Sequence, residues 1–280
     1  MLCQSRPQWR LLDTGPADGF TNMAVDEAIL EMHAAKGGLS TLRFYTWSPP
    51  ALSLGYGQPI ETDLDLTRCE ALGIDVVRRP TGGRAVFHDH EITYSVVVST
   101  DDPRVTSGVL ASYLMISQAL IRGLAYLGIT AELLPLRRGV PLPSGRASPV
   151  CFATPSSYEV AVGGRKIIGS AQRRARDVIM QHGSIPLSWD IKKMQAIFGS
   201  PPCHDESAPR EPAYHSLMTS LQEAGGRAYH YAEVVAALAR GMAETWEIEL
   251  IQGQLTDAER QRSAHLYATK YRSDAWTWQR

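Results

Sequence analysis

Three short segments in the middle of the chain carry residue types that together could perform acyl transfer. Residues 78–84, Arg-Arg-Pro-Thr-Gly-Gly-Arg, form a glycine loop framed by three arginines. Cys151 lies in a proline-bounded loop, and residues 164–171, Gly-Arg-Lys-Ile-Ile-Gly-Ser-Ala, include one lysine, Lys166. Glycines let backbone N–H groups approach a carbonyl closely, a thiolate is a nucleophile, and a nearby cation favours the thiolate. The combination predicts acyl transfer through a cysteine thioester.

The setting of Cys151 favours exposure, because Pro149 and Pro155 flank it and apolar periodicity is weak there. With a usual thiol pKa of ~8.5, only ~3% would be thiolate at neutral pH, so a neighbouring cation is needed for reactivity. Lys166 is one candidate activator, since it follows the cysteine loop on an expected hairpin, and His182 is another. Lys166 could instead be an ordinary solvated lysine beside a turn, and His182 could be a histidine bonded to backbone.

The glycine loop is neither a Walker loop nor a dinucleotide fingerprint, because no Gly-Lys-Ser/Thr and no Gly-x-Gly-x-x-Gly is present there. It could be a tight turn between strands, or a cradle whose arginines and N–H groups face a ligand. Residues 88–90, His-Asp-His, look like metal ligands at first. Adjacent strand residues point to opposite faces, however, so we expect no metal site and one histidine lining a pocket.

The elements that would hold these residues form an α+β pattern. Strand-like segments gather between residues 40 and 187, and helical segments dominate after residue 190. Gly163 and Gly164 separate two strand-like segments and predict a two-residue type I′ hairpin turn. Short connections of this kind predict a mixed or antiparallel β-sheet with surrounding helices.

Composition excludes several classes of protein. The 280 residues carry a formal net charge of −1, which gives no general electrostatic basis for binding nucleic acid. Residues 1–10 lack the apolar core of a secretory signal, and no apolar run approaches the ~20 residues of a membrane helix. We therefore expect a cytoplasmic protein without a membrane partner.

Several segments resemble the biotin/lipoate protein ligase superfamily and, within it, octanoyltransferases of the LipM type. The glycine loop marks the superfamily, whereas the cysteine together with the lysine segment marks the LipM type. The segments are 22–27, 78–84 with His88, 151–159, 164–172, 181–184 and 269–276. The resemblance runs nearly end to end.

The resemblance implies the catalytic-domain fold of that superfamily in a single domain, 1–280. Its catalytic core would span about 38–248, with a C-terminal helical appendage at about 249–280. It implies that Cys151 is the acyl-thioester nucleophile and that Lys166 lowers the pKa of its thiol. The residues it implies for acyl or substrate binding are Arg79, Gly82, Gly83, His88, Gly169, Ser170 and His182.

The implied reaction moves an octanoyl group from octanoyl-acyl carrier protein to a lysine of a lipoyl domain, such as glycine cleavage H protein. It needs no cofactor, and we expect a monomer. Because acyl carrier proteins are acidic, a basic patch could serve docking, although the same residues could form a solvated loop. The candidates are Arg137, Arg138, Arg146, Arg173, Arg174 and Arg176.

Three alternatives share parts of this pattern. An ATP-dependent lipoate–protein ligase would use Lys166 and the arginine-rich loop without depending on Cys151. An amidotransferase between two lipoyl proteins would form the same thioester. A catalytically silent protein that senses biotin or lipoate would leave Cys151 unreactive near neutral pH.

Overall fold

The computed structural model describes residues 6–60, 64–105, 108–135, 158–199 and 212–279. The strands are β1 Gln8–Ala17, β2 Thr41–Trp47, β3 Ala51–Leu54, β4 Asp75–Arg78, β5 Val86–His88, β6 Glu91–Ser99, β7 Glu132–Pro135, β8 Tyr158–Val162, β9 Arg165–Ala175, β10 Val178–Pro186 and β11 Glu249–Gln252. The helices are α1 Gly19–Lys36, α2 Leu66–Ala71, α3 Val109–Tyr126, α4 Ile191–Phe198, α5 Pro212–Leu217, α6 Leu221–Gly225, α7 Tyr231–Thr245, α8 Asp257–Leu266 and α9 Asp274–Thr277. A π-helical turn, Tyr267–Tyr271, extends α8.

Two sheets organise the described residues. The large sheet has the order β11-β1-β2-β6-β10-β9-β8-β7, and the small sheet has the order β4-β3-β5. Within the large sheet β1 runs parallel to β2 and β11, whereas β2, β6, β10, β9, β8 and β7 pair antiparallel in turn. This mixed sheet with helices around it confirms the predicted α+β class.

The hairpin of β8 and β9 forms as predicted. Gly163 and Gly164 have φ angles of 55° and 77°, the positive values that a type I′ turn requires. β9 extends to residue 175 because residues 169–175 pair with β10. The glycine turn thus aligns β8 beside β9, and β9 pairs in turn with β10, the strand that carries His182.

Helices α3 and α7 cover one face of the large sheet. Ile116, Leu120 and Leu124 of α3 are buried in a cluster with Val96 of β6 and Leu238 of α7. By length and mean hydropathy α3 could also cross a membrane, a test that core helices of soluble proteins pass too. Its buried side chains identify it here as a core helix.

Gly123 of α3 and Gly241 of α7 let these two helices approach closely. A Cβ added at Gly241 would lie 2.4 Å from the backbone N of Gly123, and one at Gly123 would lie 2.7 Å from the Cα of Leu238. Because backbone atoms of the partner helix fill these positions, the helices must separate to admit even a methyl group.

We expect Gly241→Ala to destabilise the protein although it raises helix propensity. The substitution gains about 1 kcal/mol of propensity, while overpacking against backbone costs more, so the free energy of unfolding should fall by about 2 kcal/mol. Urea unfolding measures this change. The control is Ala236→Gly at an exposed position of α7, which shows the propensity cost alone. A more stable Gly241→Ala protein would contradict the close contact.

Residues near both ends of the described chain join the same core. β11 pairs with β1, and Arg10 of β1 forms a 2.6 Å ion pair with Glu259 of α8. On the opposite face of the large sheet α8 packs along α1. Buried Glu27 of α1 accepts hydrogen bonds from Lys270 Nζ at 2.6 Å and from the Tyr271 hydroxyl at 2.7 Å. The C-terminal helices are thus fastened to the helix that backs the site.

Candidate active site

A largely apolar pocket lies between the two sheets and contains about 370 Å³ of empty space, including its open mouth. Strands β2, β6, β9 and β10 of the large sheet form one side, and β3, β5 and the glycine loop form the other. The lining residues are Met23, Tyr45, Trp47, Ser53, Arg79, Val86, His88, Thr93, Gly169, Ser170, Ala171, His182, Gly183 and Ser184. Five of the residues predicted for acyl binding are among them: Arg79, His88, Gly169, Ser170 and His182.

Close backbone approaches shape the pocket. A Cβ at Gly183 would lie 2.7 Å from the carbonyl oxygen of Gly169 and 2.7 Å from the Oγ of Ser170. A Cβ at Gly55, just after β3, would overlap the carbonyl oxygen of Gly83. Glycines at these two positions therefore allow β10 to lie against β9 and the glycine loop to fold onto β3.

Arg79 holds the glycine loop in shape. Its Nη2 donates to the carbonyls of Gly82 and Arg84, both at 2.7 Å, and its Nη1 donates to the carbonyl of Ser53 at 2.9 Å. The side chain also lines the pocket, and these bonds use some of the N–H groups of its guanidinium. Gly82 and Gly83 lie in the loop that Arg79 closes, and Gly83 has a φ of 96°.

His88 is a buried histidine within a polar cluster. Its Nε2 lies 2.8 Å from Ser53 Oγ and its Nδ1 lies 3.2 Å from Glu91 Oε1. Its ring stacks on that of Trp47 with centroids 4.0 Å apart. Burial lowers the pKa of His88, which outweighs the opposing effect of Glu91, so the ring that faces the pocket is neutral at pH 7.

His182 belongs to a second buried cluster. Its Nδ1 lies 2.9 Å from Asp26 Oδ2, and its Nε2 lies 2.7 Å from Thr81 Oγ1 of the glycine loop. Asp26 also forms a 2.6 Å ion pair with Arg43. Burial would raise the pKa of Asp26, but the charge of Arg43 and the bond to His182 outweigh it and lower that pKa. Asp26 is therefore an ionised carboxylate.

Lys166 lies on β9, three residues before Gly169, and is only 4% exposed. Its Nζ donates to Glu159 Oε1 on β8 at 2.7 Å. Its backbone carbonyl accepts from the amide of Thr219 at 2.8 Å, which ties β9 to the segment that leads into α6. Lys166 is therefore a buried, ion-paired ammonium, and it is not among the residues that line the pocket. That it lowers the pKa of the Cys151 thiol stays a prediction.

Cys151 lies outside the described residues, as do Arg137, Arg138 and Arg146. Cys69 is a free cysteine that the structure does describe. Its thiol is buried on α2, and burial raises its pKa to about 11. Such a thiol is almost fully protonated near neutral pH and is a poor nucleophile.

No group of three or more His, Cys, Asp or Glu side chains in the described ranges is arranged to hold a metal ion. Of the two histidines in residues 88–90, His88 faces the pocket, whereas the side chain of His90 is 64% exposed and contacts Asp89. The pocket therefore offers hydrogen-bonding groups and apolar walls around whatever it binds.

Sequence reasoning missed the residues that orient the two histidines. No role was assigned to Asp26, Arg43, Ser53, Glu91 or Trp47, although each contacts His88, His182 or Asp26 in the structure. One signal was present, because Asn22 and Asp26 lie four residues apart in a helix whose surrounding residues are mostly apolar. Polar side chains on a buried helix face require partners, and here the partners are Arg43 and His182.

The fold and the pocket define a class of protein that a family comparison identifies. Residues 18–243 match the family model described as the lipoyl protein ligase A/B catalytic domain. This match covers most of the chain, which therefore belongs to that family. It includes the glycine loop, the hairpin of β8 and β9, and every pocket residue.

Curated relatives specify the group within the family. The chain is 40% identical over 268 residues to octanoyltransferase LipM of Carboxydothermus hydrogenoformans, covering 96% of this chain and 97% of the relative. It is 42% identical over 273 residues to octanoyltransferase LipM of Kyrpidia tusciae, covering 97% and 99%. The predicted LipM-type resemblance is confirmed, and the chain is an acyltransferase of this group.

Solved structures share the fold across nearly the whole chain. A lipoate-protein ligase A bound with ATP superposes with a TM-score of 0.77 at 24% identity and covers 97% of this chain and 98% of its own. A putative lipoate protein ligase from T. acidophilum with bound lipoic acid superposes with a TM-score of 0.75 at 25% identity, covering 97% and 99%. The predicted catalytic-domain fold is confirmed.

Proposed function

We propose that this chain transfers an octanoyl group from octanoyl-acyl carrier protein to a lysine of a lipoyl-domain protein, through a thioester on Cys151. The observation that carries the proposal is the pocket. Apolar side chains of Met23, Tyr45, Trp47 and Val86 line it beside His88 and His182, in a chain whose relatives are octanoyltransferases. An aliphatic chain fits such walls, and the polar groups suit its carbonyl end.

The first step exchanges one thioester for another. The Cys151 thiolate attacks the octanoyl carbonyl, the bond to the carrier's sulfur breaks, and the proton that Cys151 gave up ends on the departing carrier thiol. Because a thioester is formed as another is broken, the step is nearly isoenergetic and requires no ATP. Backbone N–H groups near the glycine loop or near Cys151 would stabilise the tetrahedral oxyanion.

The second step forms an amide. The neutral amine of an acceptor lysine attacks the Cys151 thioester, the C–S bond breaks, and the amine's proton passes to the thiol or to solvent. An amide is more stable than a thioester, so this step drives the transfer. The acceptor is a lipoyl domain, such as glycine cleavage H protein.

Burial of the octanoyl tail can hold the intermediate but cannot supply the whole affinity. About seven methylene or methyl groups at ~0.8 kcal/mol each give ~5–6 kcal/mol if fully buried. We therefore expect contacts with the carrier protein to contribute. Arg174 and Arg176, exposed near the end of β9, together with half-buried Arg173, are the described part of the basic patch we propose for this acidic partner. We propose that the enzyme works as a cytoplasmic monomer.

Intact-mass spectrometry after mixing with octanoyl-acyl carrier protein tests the proposal. We expect the wild-type protein to gain one octanoyl mass on a Cys151 peptide without ATP, and Cys151→Ser to gain none and to lose transfer by a factor of at least about 10³. Cys69→Ala is the matched control. The high pKa of the Cys69 thiol makes that thiol inert, so Cys151 of this variant should be acylated as in the wild type.

The competing assignment is an ATP-dependent lipoate–protein ligase. A lipoate-protein ligase A that has the same fold has been solved with ATP bound. If Cys151→Ser retains activity and the reaction requires ATP and free lipoate, the ligase assignment replaces ours. Comparing octanoyl-acyl carrier protein with an octanoylated lipoyl domain as donor separates our proposal from an amidotransferase.

A further inference from the structure

Three buried side chains from three separate elements form a continuous hydrogen-bonded chain beside the pocket. Asp26 lies on α1, His182 on β10 and Thr81 in the glycine loop. The two links are 2.9 Å, from Asp26 Oδ2 to His182 Nδ1, and 2.7 Å, from His182 Nε2 to Thr81 Oγ1. Each of the three residues is at most 4% exposed.

We propose that Asp26 and His182 are positioning residues that set the glycine loop against the acyl pocket by holding the Thr81 hydroxyl. The inference rests on the proposed function, because it assigns these residues to the same site. His182 lines the pocket as well, but the role inferred here acts through Thr81.

The charges of the cluster fix the direction of the bond between Asp26 and His182. Arg43 donates to Asp26 at 2.6 Å and Tyr45 donates to it at 2.9 Å, so the carboxylate is ionised and accepts from its neighbours. His182 Nδ1 therefore carries a proton and donates to Asp26. The other ring nitrogen, Nε2, lies within hydrogen-bonding distance of the Thr81 hydroxyl, and when it carries no proton it accepts from that hydroxyl.

This bond matters because it joins the loop to the opposite wall of the pocket. The backbone carbonyl of Thr81 accepts from the amide of Tyr56, and Arg79 links the carbonyls of Gly82 and Arg84 to Ser53. Those bonds fasten the loop to the small-sheet side. The hydroxyl of Thr81 reaches His182 on the large sheet, so it sets the separation of the two walls beside the glycine loop.

Thr81→Val tests the link, because valine keeps the branched shape and removes only the hydroxyl. We expect a loss of about tenfold in kcat/KM for octanoyl-acyl carrier protein, which corresponds to about 1.4 kcal/mol. The variant should also lose some stability, because buried His182 Nε2 is left without its partner, so the kinetics are compared on protein shown to be folded. Thr81→Ser, which keeps the hydroxyl, should restore activity to within about twofold. Wild-type kinetics in Thr81→Val, or equal losses in the two variants, would overturn the proposal.

A double-mutant cycle separates coupling from general damage. If Thr81 acts through His182, Thr81→Val should cost little once His182→Gln is present. Fully additive losses would instead show that the two residues act independently and would also overturn the proposal.

Nitrogen-15 NMR of labelled histidines provides a readout without substrate. We expect the His182 signals, assigned by their loss in His182→Gln, to show a proton on Nδ1, the nitrogen that faces Asp26. A proton on Nε2 alone would refute the hydrogen-bonded chain. A wild-type protein that shows the expected Nδ1 proton yet transfers no octanoyl group would refute the proposed function and leave the hydrogen-bonded chain standing.

Discussion

Replacing Lys166 with methionine is expected to slow octanoyl transfer to Cys151 by about 10²-fold or more, the usual range for loss of a group that controls a proton. The ammonium is 4% exposed on β9, where water screens its charge poorly. We propose that its field stabilises the Cys151 thiolate. Methionine retains the length and apolar contacts of the lysine stem, so the change removes mainly the charge.

The direct measurement is the rate of Cys151 alkylation as a function of pH. In the wild-type protein the thiol should titrate below its usual pKa, and in Lys166→Met its pKa should rise, with the acylation rate falling in parallel. Arg165→Met is the matched control. Arg165 is the cation next to Lys166 on β9, but its side chain is one-third exposed and pairs with Glu223. If Cys151 titrates identically in the wild type and in Lys166→Met, the proposed activation is wrong.

The ion pair between Lys166 and Glu159 predicts a second variant with the opposite effect on the pKa of Cys151. The Glu159 carboxylate lies 2.7 Å from the Lys166 ammonium and partly offsets its positive charge. Glu159→Gln removes that charge and keeps a hydrogen-bond acceptor, so the positive field felt by a nearby thiol should increase. We expect the Cys151 pKa to fall in this variant, while a rise would show that Glu159 mainly orients the lysine.

Local signals in the sequence were enough to predict much of the framework. Glycine pairs specify positive φ angles, and branched residues favour strands, so the turn at residues 163–164 and the gathering of strands between residues 40 and 187 followed from short segments. β1 and β11 were not predicted. β1 contains Asp13, Gly15 and Pro16, and β11 spans only four residues, so neither shows a clear strand pattern. Both are specified by parallel pairing with distant segments.

The chemistry-bearing motifs could be found from the sequence, but the roles of their members could not. Arginines in a glycine loop suggest ligand binding. Arg79, however, donates hydrogen bonds to the loop's own carbonyls, and Arg78 bonds to the C-terminal residues and does not line the pocket. His182 and Asp26 are 156 residues apart in the chain, and only the packing of β10 against α1 brings them together. Motifs report residue types, whereas partners depend on this long-range packing.

The second large effect concerns Arg78, whose guanidinium is fully buried and joins the C-terminal residues to the pocket side of the fold. Its Nη1 donates to the carbonyls of Gly55 and Gln58 at 2.6 and 2.7 Å. Its Nε and Nη2 donate to the carbonyls of Thr277 and Gln279, both at 3.0 Å. In return, the indole of Trp276 donates to the carbonyl of Arg78 at 2.8 Å.

Arg78→Met should therefore lower the free energy of unfolding by about 3 kcal/mol or more, because it leaves several buried carbonyls without a donor. Arg78→Lys should recover only part of this loss, since one ammonium cannot reach acceptors on both sides of a planar fork. Urea unfolding measures the change, and Arg68→Met on the exposed face of α2 is the control, expected to change stability by less than about 0.5 kcal/mol.

Hydrogen exchange locates the effect of Arg78→Met within the fold. Amides of residues 274–279 and of residues 55–58 should lose protection together, because the guanidinium is the group that binds both segments. Since residues 55–58 adjoin the glycine loop through the bond from the Tyr56 amide to Thr81, octanoyl transfer should fall as well. Loss of protection confined to the C-terminal residues, with full activity, would show that Arg78 fastens the chain end without supporting the pocket.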